Sequence, residues 1–137
     1  MFKLTKIINS GVNVPENELI VCDCENDLAA GTAVVMDNEN GVLRLGNADE
    51  KPTHILIRPI KYGDTHALCY RITPAMIFET TVNGDPKYLY DGVRVLLHTV
   101  SDVGTCGVSN STDNGVATIY SLENAKKSGD KVLVTFD

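Results

Sequence analysis

The sequence has no tryptophan, only three histidines and four cysteines, and no long apolar run among its 137 residues. No stretch approaches the roughly 18 consecutive apolar residues of a membrane-spanning helix. The segment Met1–Asn9 has two lysines but no apolar core of signal-peptide length. We therefore expect no membrane partner, and a protein that works in a cytoplasm or in a particle assembled there.

Clustered positive charge is also missing from the sequence. Twelve basic residues are outnumbered by eighteen acidic ones, which gives a formal net charge of −6 and an isoelectric point near 4.9. Only Lys126 and Lys127 are adjacent. Because affinity for nucleic acid depends on clustered lysine and arginine, the sequence predicts no nucleic-acid partner.

What the sequence does contain is a series of short β-like segments between turn signals. Turn dipeptides such as Asn40-Gly41, Asp91-Gly92 and Gly129-Asp130 recur at short intervals. This pattern predicts an all-β fold: a small antiparallel barrel or sandwich of about seven to ten short strands with little helix. The segments between the turns, rich in valine, isoleucine, leucine, threonine and tyrosine, are Leu19–Cys22, Ala33–Met36, Val42–Leu45, His54–Ile57, Ala67–Ile72, Met76–Val82, Val93–Leu97, Val116–Tyr120 and Lys131–Phe136.

Alternation of apolar and polar residues predicts which strand faces are buried. The clearest alternation lies in the segments that begin at Val93 and Lys131. In each of them, apolar residues two positions apart share one face, so that face is expected in the core. The predicted core positions are Val93, Val95, Leu97, Val132, Val134 and Phe136, and the predicted solvent-facing positions are Arg94, Lys131 and Thr135.

Several segments allow more than one local structure. Residues Ser121–Ser128 could form two helical turns or a polar loop, and Pro15–Glu18 could form one turn. Thr99–Asn114 has no apolar period and is predicted to be a long connection, the kind of loop that is often functional. Residues 1–14 are either an arm that adds a strand to a neighbour or the first strand of the domain, and residues 15–137 are predicted to form a single β domain.

Two segments suggest metal binding. Cys22-Asp23-Cys24 places two thiols on one strand face, but structural zinc sites use paired C-x2-4-C or H-x3-5-H spacings, and only this one tight pair exists. Asp37–Gly41 has the composition of a calcium loop, yet its glycine is one position early, and a hairpin turn explains it better. We predict no metal, no cofactor and no disulfide, with Cys69 and Cys106 also reduced. Metal binding by Cys22 and Cys24 is the open alternative.

No catalytic motif is present. The sequence has no Gly-x-Ser-x-Gly elbow, no His-Glu-x-x-His pair and no phosphate-binding glycine loop. A triad assembled in space is still an alternative, because serine, histidine, aspartate and cysteine all occur. We interpret His54, His66 and His98 as polar face residues of strands. No catalytic residue is therefore assigned, and we expect a structural or binding protein and not an enzyme.

Two groups of side chains are candidates for contacts with other molecules. Tyr88 and Tyr90 are interpreted as sharing one strand face. Core or interface packing is favoured over stacking on single-stranded nucleic acid, because Asp85 and Asp91 flank the pair. The second group is an acidic stretch, most simply a solvated surface, which would also suit a basic partner. It consists of Glu16, Glu18, Asp23, Glu25 and Asp27.

The order of the segments resembles that of a known family. The segments that carry the likeness are Ala30–Val35, Gly41–Leu43, Lys51–Ile55, Gly63-Asp64, Arg71–Pro74, Ile77–Thr80 and Gly129–Phe136. From about Leu28 onward, the chain is similar to small β-rich head proteins of tailed phages, the decoration or auxiliary capsid proteins. The resemblance implies a structural virion protein on the capsid surface, assembled in the cytoplasm of a bacterial host. It also implies binding to the major capsid protein, stabilisation of the shell and a homo-oligomer such as a trimer.

Two alternatives come from other classes of protein. One is a small metal-dependent hydrolase with a spatially assembled site, which metal analysis of protein purified without chelator would identify. The other is a carbohydrate-binding or fibre module. Clustering of exposed aromatic side chains would be evidence for such a module, and the absence of tryptophan counts against it.

Overall fold

The computed structural model of the protein describes residues 1–8, 17–22, 25–101 and 103–137, and within these ranges it contains twelve strands and no helix. The all-β prediction is confirmed, with more strands than the approximately seven to ten expected. Each of the nine predicted segments contains at least part of a strand. The strands are β1 (Lys3–Ile7), β2 (Asn17–Val21), β3 (Ala33–Asp37), β4 (Val42–Leu45), β5 (His54–Leu56), β6 (His66–Arg71), β7 (Met76–Asn83), β8 (Arg94–Val95), β9 (Leu97–Val100), β10 (Gly104–Ser109), β11 (Ala117–Ser121) and β12 (Lys131–Thr135).

The described strands form one open, mostly antiparallel sheet, so a closed barrel, one of the two architectures expected, is wrong. The path runs β2-β6-β5-β3-β10-β7-β12-β11-β8, with β1 joined to β7, β4 to β3 and β9 to β10. Strand β10 pairs with β7 in parallel, through Val108 and Val82. Just beyond β2, Cys22 forms a single parallel bridge with Leu43. The path therefore ends at β2 on one side and at β8 on the other.

The core has two apolar clusters. The larger one is built around Phe2, Phe78 and Phe136, whose ring centroids lie 5.4 to 6.5 Å apart in edge-on arrangements. The smaller one lies among β2 to β6 and includes Cys22 and Cys69. Phe2 is buried and β1 pairs with β7, so the described part of residues 1–14 forms a strand of the domain. Residues 9–14 lie outside the described residues.

The strand faces predicted from alternation are confirmed at their apolar positions. Val95, Val132 and Val134 are fully buried, and Lys131 is exposed. Thr135 is buried as well, so the prediction that it faces solvent is wrong. Exposure falls along this face of β12, from exposed Lys131 through half-buried Leu133 to buried Thr135, because the face is covered only towards the end of the strand, which an alternating pattern does not reveal. The remaining predictions, Val93, Leu97 and Phe136 as buried and Arg94 as exposed, are also confirmed.

The segment Thr99–Asn114 is not a long connection, and that prediction is wrong. It contains the end of β9 and the whole of β10, which pairs with β3, β7 and β9 in the middle of the sheet. Two of the six positions of β10 are glycines, Gly104 and Gly107. Because glycine has no side chain, the segment does not show the apolar pattern by which strands are predicted. A Cβ at Gly104 would lie 2.9 Å from a methyl carbon of Thr32, and a Cβ at Gly107 would lie 2.7 Å from the Thr81 carbonyl oxygen.

The helical alternatives are not realised in the described residues. Strand β11 ends at Ser121 and turns follow it, with Glu123 and Asn124 at φ 49° and 65°. Asn17 and Glu18 belong to β2, so the turn predicted there is wrong for these two residues, while Pro15 and Glu16 lie outside the described residues. The described ranges contain no helix of the length and hydropathy that crossing a bilayer requires.

Candidate functional site

Of the two cysteines suggested as metal ligands, Cys22 and Cys24, the structure describes only Cys22. Cys22 is buried beside the end of β2, and its Sγ lies 3.6 Å from the Asp64 carbonyl oxygen. Asp23 and Cys24 lie outside the described residues. Cys69 is fully buried on β6, and burial raises the pKa of its thiol to about 11, which suppresses the reactive thiolate. Among the described residues, no group of three histidine, cysteine, aspartate or glutamate side chains is arranged to hold a metal ion.

The segment Asp37–Gly41 is the tip of the β3–β4 hairpin, as predicted. The Asp37 carboxylate accepts hydrogen bonds from the backbone N–H groups of Glu39 and Asn40 and from the Asn40 amide, which lower its pKa. Gly41 has a φ of +69° and donates its N–H to the Asp37 carbonyl. The carboxylate of Asp37, in the segment with the composition of a calcium loop, therefore stabilises a turn.

A network of polar side chains that runs from the buried His54 out to the exposed Arg71 consists of Glu18, Thr53, His54 and Arg71, and we refer to it as the His54 clamp. His54 is 4% exposed, so its interpretation as a polar face residue is wrong. Its Nε2 lies 3.3 Å from Glu18 Oε2, and its Nδ1 lies 2.8 Å from Thr53 Oγ1. Arg71 Nε pairs with Glu18 Oε1 at 2.7 Å. The clamp thus ties the end strand β2 to β5 and β6.

Hydrogen-bond accounting fixes the proton positions in the clamp. The ionised Glu18 carboxylate can only accept, so the imidazole nitrogen that faces it, Nε2, carries a proton. In the neutral imidazole Nδ1 is then an acceptor and takes the proton of the Thr53 hydroxyl, which itself accepts the Met36 N–H at 2.7 Å. Burial lowers the pKa of His54, and the hydrogen bond from Arg71 lowers the pKa of Glu18. The arrangement favours a neutral histidine beside an ionised glutamate.

The hydroxyl, imidazole and carboxylate of the clamp have the composition of a catalytic triad. A cleft of about 400 Å³ adjoins them, lined in part by Lys51 and Arg71. However, the same hydroxyl–imidazole contact recurs at Thr65 and exposed His66, at 3.0 Å, so neighbouring threonine and histidine form it through local geometry. Because the Thr53 hydroxyl is bonded on both sides within the sheet, we interpret the clamp as structural.

The acidic stretch does not act as one surface. Glu18 belongs to the clamp, and Asp27 Oδ1 accepts the Tyr62 N–H at 2.7 Å. Glu25 is exposed, while Glu16 and Asp23 lie outside the described residues. Two of the three described carboxylates are thus committed to bonds within the domain, which weakens the interpretation of this stretch as a docking site.

Four tyrosine side chains are exposed, and the sequence analysis placed two of them, Tyr88 and Tyr90, incorrectly. Tyr88 and Tyr90 lie in the connection between β7 and β8, not on a strand, and are 83% and 63% exposed. The Lys87 ammonium lies 5.4 Å from the ring centre of Tyr88. Tyr120 on β11 is 46% exposed, and Tyr62 is exposed on the β5–β6 connection. Tyr88 and Tyr90 therefore do not pack in the core. Of the two roles expected for them, core packing and interface packing, only the interface is left.

Three exposed apolar residues, Met1, Val100 and Val103, have their backbones near one end of β10, and we refer to them as the apolar patch. The Met1 nitrogen donates to the Cys106 carbonyl at 2.6 Å, which brings residue 1 to the β9–β10 hairpin. All three side chains are exposed, by 36% to 43%. The patch therefore joins the two segments, residues 1–14 and Thr99–Asn114, that the sequence offered for attachment.

Comparison with protein families, with curated proteins and with solved structures finds no match to this chain.

Proposed function

We propose that this chain is a structural protein and not an enzyme, and that it binds and stabilises the capsid shell of a tailed bacteriophage. The resemblance of its segment order to decoration proteins supplies the partner, the major capsid protein. A many-stranded sheet with a well-packed core suits a protein that has to resist mechanical load. The observation that carries the binding role is the apolar patch of Met1, Val100 and Val103.

The patch is suited to a protein contact for two reasons. Large apolar side chains that stay exposed on a domain with a complete core often mark an interaction surface. In addition, Met1 is held by Cys106, and Val100 pairs with Gly104 in the β9–β10 ladder, so a partner would meet a surface that is already ordered. Most of β1 is committed to β7, so attachment by the whole of residues 1–14 as a free arm is not part of the proposal.

Many copies acting together would match a symmetric shell. Identical chains that meet a symmetric surface are commonly arranged as closed symmetric clusters, and a trimer is one such arrangement. The outer face of the capsid is favoured over the DNA-facing side, because packed DNA would repel a chain of net charge −6. We therefore place the protein on the surface of the virion, as a homo-oligomer.

The test mixes the purified protein with phage heads that lack it. The heads are taken from the phage whose genome encodes the protein. The wild-type protein is expected to bind them and to raise their temperature of disruption. Val103→Asp should weaken binding by about tenfold or more, because a carboxylate would have to be desolvated in the contact. The matched control is Val21→Asp, at a similarly exposed valine on β2, which should bind like the wild type.

Two results would contradict the proposal at different levels. Wild-type protein that neither binds nor stabilises these heads would refute the capsid role. Binding that survives Val103→Asp unchanged would leave the capsid role in place and refute the assignment of the patch.

A further inference from the structure

We infer that a cavity beside the smaller apolar cluster binds the hydrocarbon chain of an amphiphile whose polar end is an ammonium group. The cavity has a volume of about 290 Å³ and lies where β3 and β4 meet the β2–β3 and β5–β6 connections. The aliphatic side chains that line it are those of Leu28, Val34, Leu43, Leu45 and Ile60. This inference goes beyond the proposed capsid role and does not rest on it.

Two short backbone bridges join the walls of the cavity. Leu28 and Ile60 exchange N–H···O hydrogen bonds in both directions, each of 2.8 Å. Cys22 forms the parallel bridge with Leu43. All four of these residues line the cavity and are buried, so each bridge connects two segments of its wall. A ligand would therefore enter a site whose shape is already set, which reduces the entropy lost on binding.

The interior of the cavity suits a hydrocarbon chain. Four of its five aliphatic residues are buried members of the smaller cluster, and Leu45 is half-buried against them. The volume of the cavity is roughly twice that of an apolar cavity of about 150 Å³, which takes up benzene, so it would accept a chain of about eight carbon atoms. Each methylene that leaves water for such a site should strengthen binding by about fourfold.

The charged side chains of the cavity favour a positive group on the ligand. Glu25 and Arg44 both line the cavity and are exposed. The Arg44 guanidinium donates to both carboxylate oxygens of Glu50, at 2.8 and 2.6 Å, so its charge is already compensated. The Glu25 side chain makes no hydrogen bond or ion pair to another described residue. The charge left uncompensated at the cavity is therefore negative.

An alkylammonium ion complements both parts of this site. Its chain would contact the aliphatic walls, and its ammonium group would lie in water near the Glu25 carboxylate. An alkyl carboxylate would fit the same walls, but its charge has the sign of Glu25, and it would have to displace Glu50 to pair with Arg44. The two kinds of amphiphile are thus distinguished by their polar ends.

The experiment titrates the ¹⁵N-labelled full chain with butyl-, hexyl- and octylammonium chloride and with sodium octanoate, and follows the amide chemical shifts. Octylammonium is expected to give saturable shifts concentrated at the residues that line the cavity. Affinity should rise by about fourfold per methylene from the butyl to the octyl compound. Octanoate should bind about tenfold more weakly than octylammonium, because one is repelled by Glu25 and the other attracted.

Two variants test the two parts of the site. Leu45→Trp places a larger side chain at the cavity and should abolish binding of octylammonium. Its matched control is Leu122→Trp, at a half-buried leucine after β11, which should bind like the wild type. Glu25→Gln should weaken binding of octylammonium by about threefold, the effect of an exposed ion pair. Its control, Glu123→Gln, changes an exposed carboxylate elsewhere on the domain and should have no effect.

Four outcomes would overturn the inference: no saturable shift with octylammonium, an affinity that does not rise with chain length, octanoate binding as tightly as octylammonium, or undiminished binding by a folded Leu45→Trp variant. The amide spectrum of each variant reports whether it is folded. If Leu45→Trp does not fold, the chain-length series and Glu25→Gln still decide the question. Because no capsid enters this experiment, its result is independent of the shell-binding test.

Discussion

At the scale of single residues, two buried threonines differ in whether their hydroxyl groups are hydrogen-bonded. Thr32 is fully buried, and its hydroxyl donates to the Ala29 carbonyl at 2.8 Å. Thr80 on β7 is 2% exposed, and within the described residues its Oγ1 has no hydrogen-bond partner. Burying an unpaired hydroxyl costs free energy, whereas a paired one is close to neutral or favourable. The hydroxyl is therefore expected to stabilise the fold at Thr32 and to destabilise it at Thr80, although the two side chains are about equally buried.

Thr80→Val should stabilise the protein, because valine keeps the shape of threonine and removes the unpaired hydroxyl. We expect the free energy of unfolding to rise by about 1 kcal/mol. Thr32→Val is the matched control and should lower it by about 1 kcal/mol, since it removes the hydroxyl hydrogen bond and leaves the Ala29 carbonyl only the longer bond from the backbone N–H of residue 32, at 3.3 Å. Urea unfolding of the three proteins measures both. Equal destabilisation by the two substitutions would mean that the Thr80 hydroxyl is paired after all.

Single residues also mark the limit of what the sequence could predict about a site. The position of Tyr90 beside an acidic turn is visible in the sequence, and its exposure is not. His54 reads as an ordinary polar residue at the start of a strand, because its partners Glu18 and Arg71 are distant in sequence. Contacts of this kind are set by which strands become neighbours, and a local pattern carries no information about them.

At the scale of elements, the pattern of turns and apolar segments was sufficient for most strands. Strand β4 was predicted with its observed bounds, and β12 with its buried valines. Strand β10 was missed because a strand that packs tightly on its neighbours uses small residues, and glycine carries no apolar signal. The path of the sheet could not be predicted, because it places β10 between β3 and β7, far from both in sequence.

The close approach of β10 to β7 makes Gly107 sensitive to substitution. A Cβ at Gly107 would lie 2.7 Å from the Thr81 carbonyl oxygen, so Gly107→Ala has to push two paired backbones apart. We expect the free energy of unfolding to fall by about 3 kcal/mol. The control is Gly63→Ala, at a turn with open space around it and a φ of +88°, which should cost about 1 kcal/mol from backbone strain alone. Denaturant midpoints that rank the two variants in the opposite order would contradict this account of β10.

At the scale of the whole molecule, the His54 clamp makes the stability of the fold depend on pH. Burial lowers the pKa of His54 below its ordinary value of 6.5, so the unfolded chain binds this proton more tightly than the folded protein does. The free energy of unfolding should therefore fall as the pH drops through about 6.5 towards the lowered value, and this contribution levels off below it. Arg71 lowers the pKa of Glu18 below 4.5, so its contribution persists to lower pH and is lost as the pH falls through that lowered value.

His54→Gln should flatten this pH dependence. The variant is expected to be less stable than the wild type near neutral pH, with a smaller change in unfolding free energy between about pH 7.5 and about pH 5. His66→Gln, at an exposed histidine on β6, is the control and should keep the wild-type slope. Thermal or urea unfolding across this range measures the slopes. An unchanged slope in His54→Gln would exclude His54 as the titrating group.

Because β1 pairs with β7, the first strand of the chain cannot join the sheet until the seventh has been synthesised. In this ladder Lys3 lies opposite Glu79, and Ile7 lies opposite Met76. A ribosome synthesises a chain from its N-terminal side, so β1 leaves the exit tunnel well before its partner β7 has been made. Strand β7 in turn is flanked by β12, which holds some of the last residues described. The middle of the sheet therefore closes only after β12 has been synthesised, and until then β7 lacks one of the partner strands that it has in the folded protein.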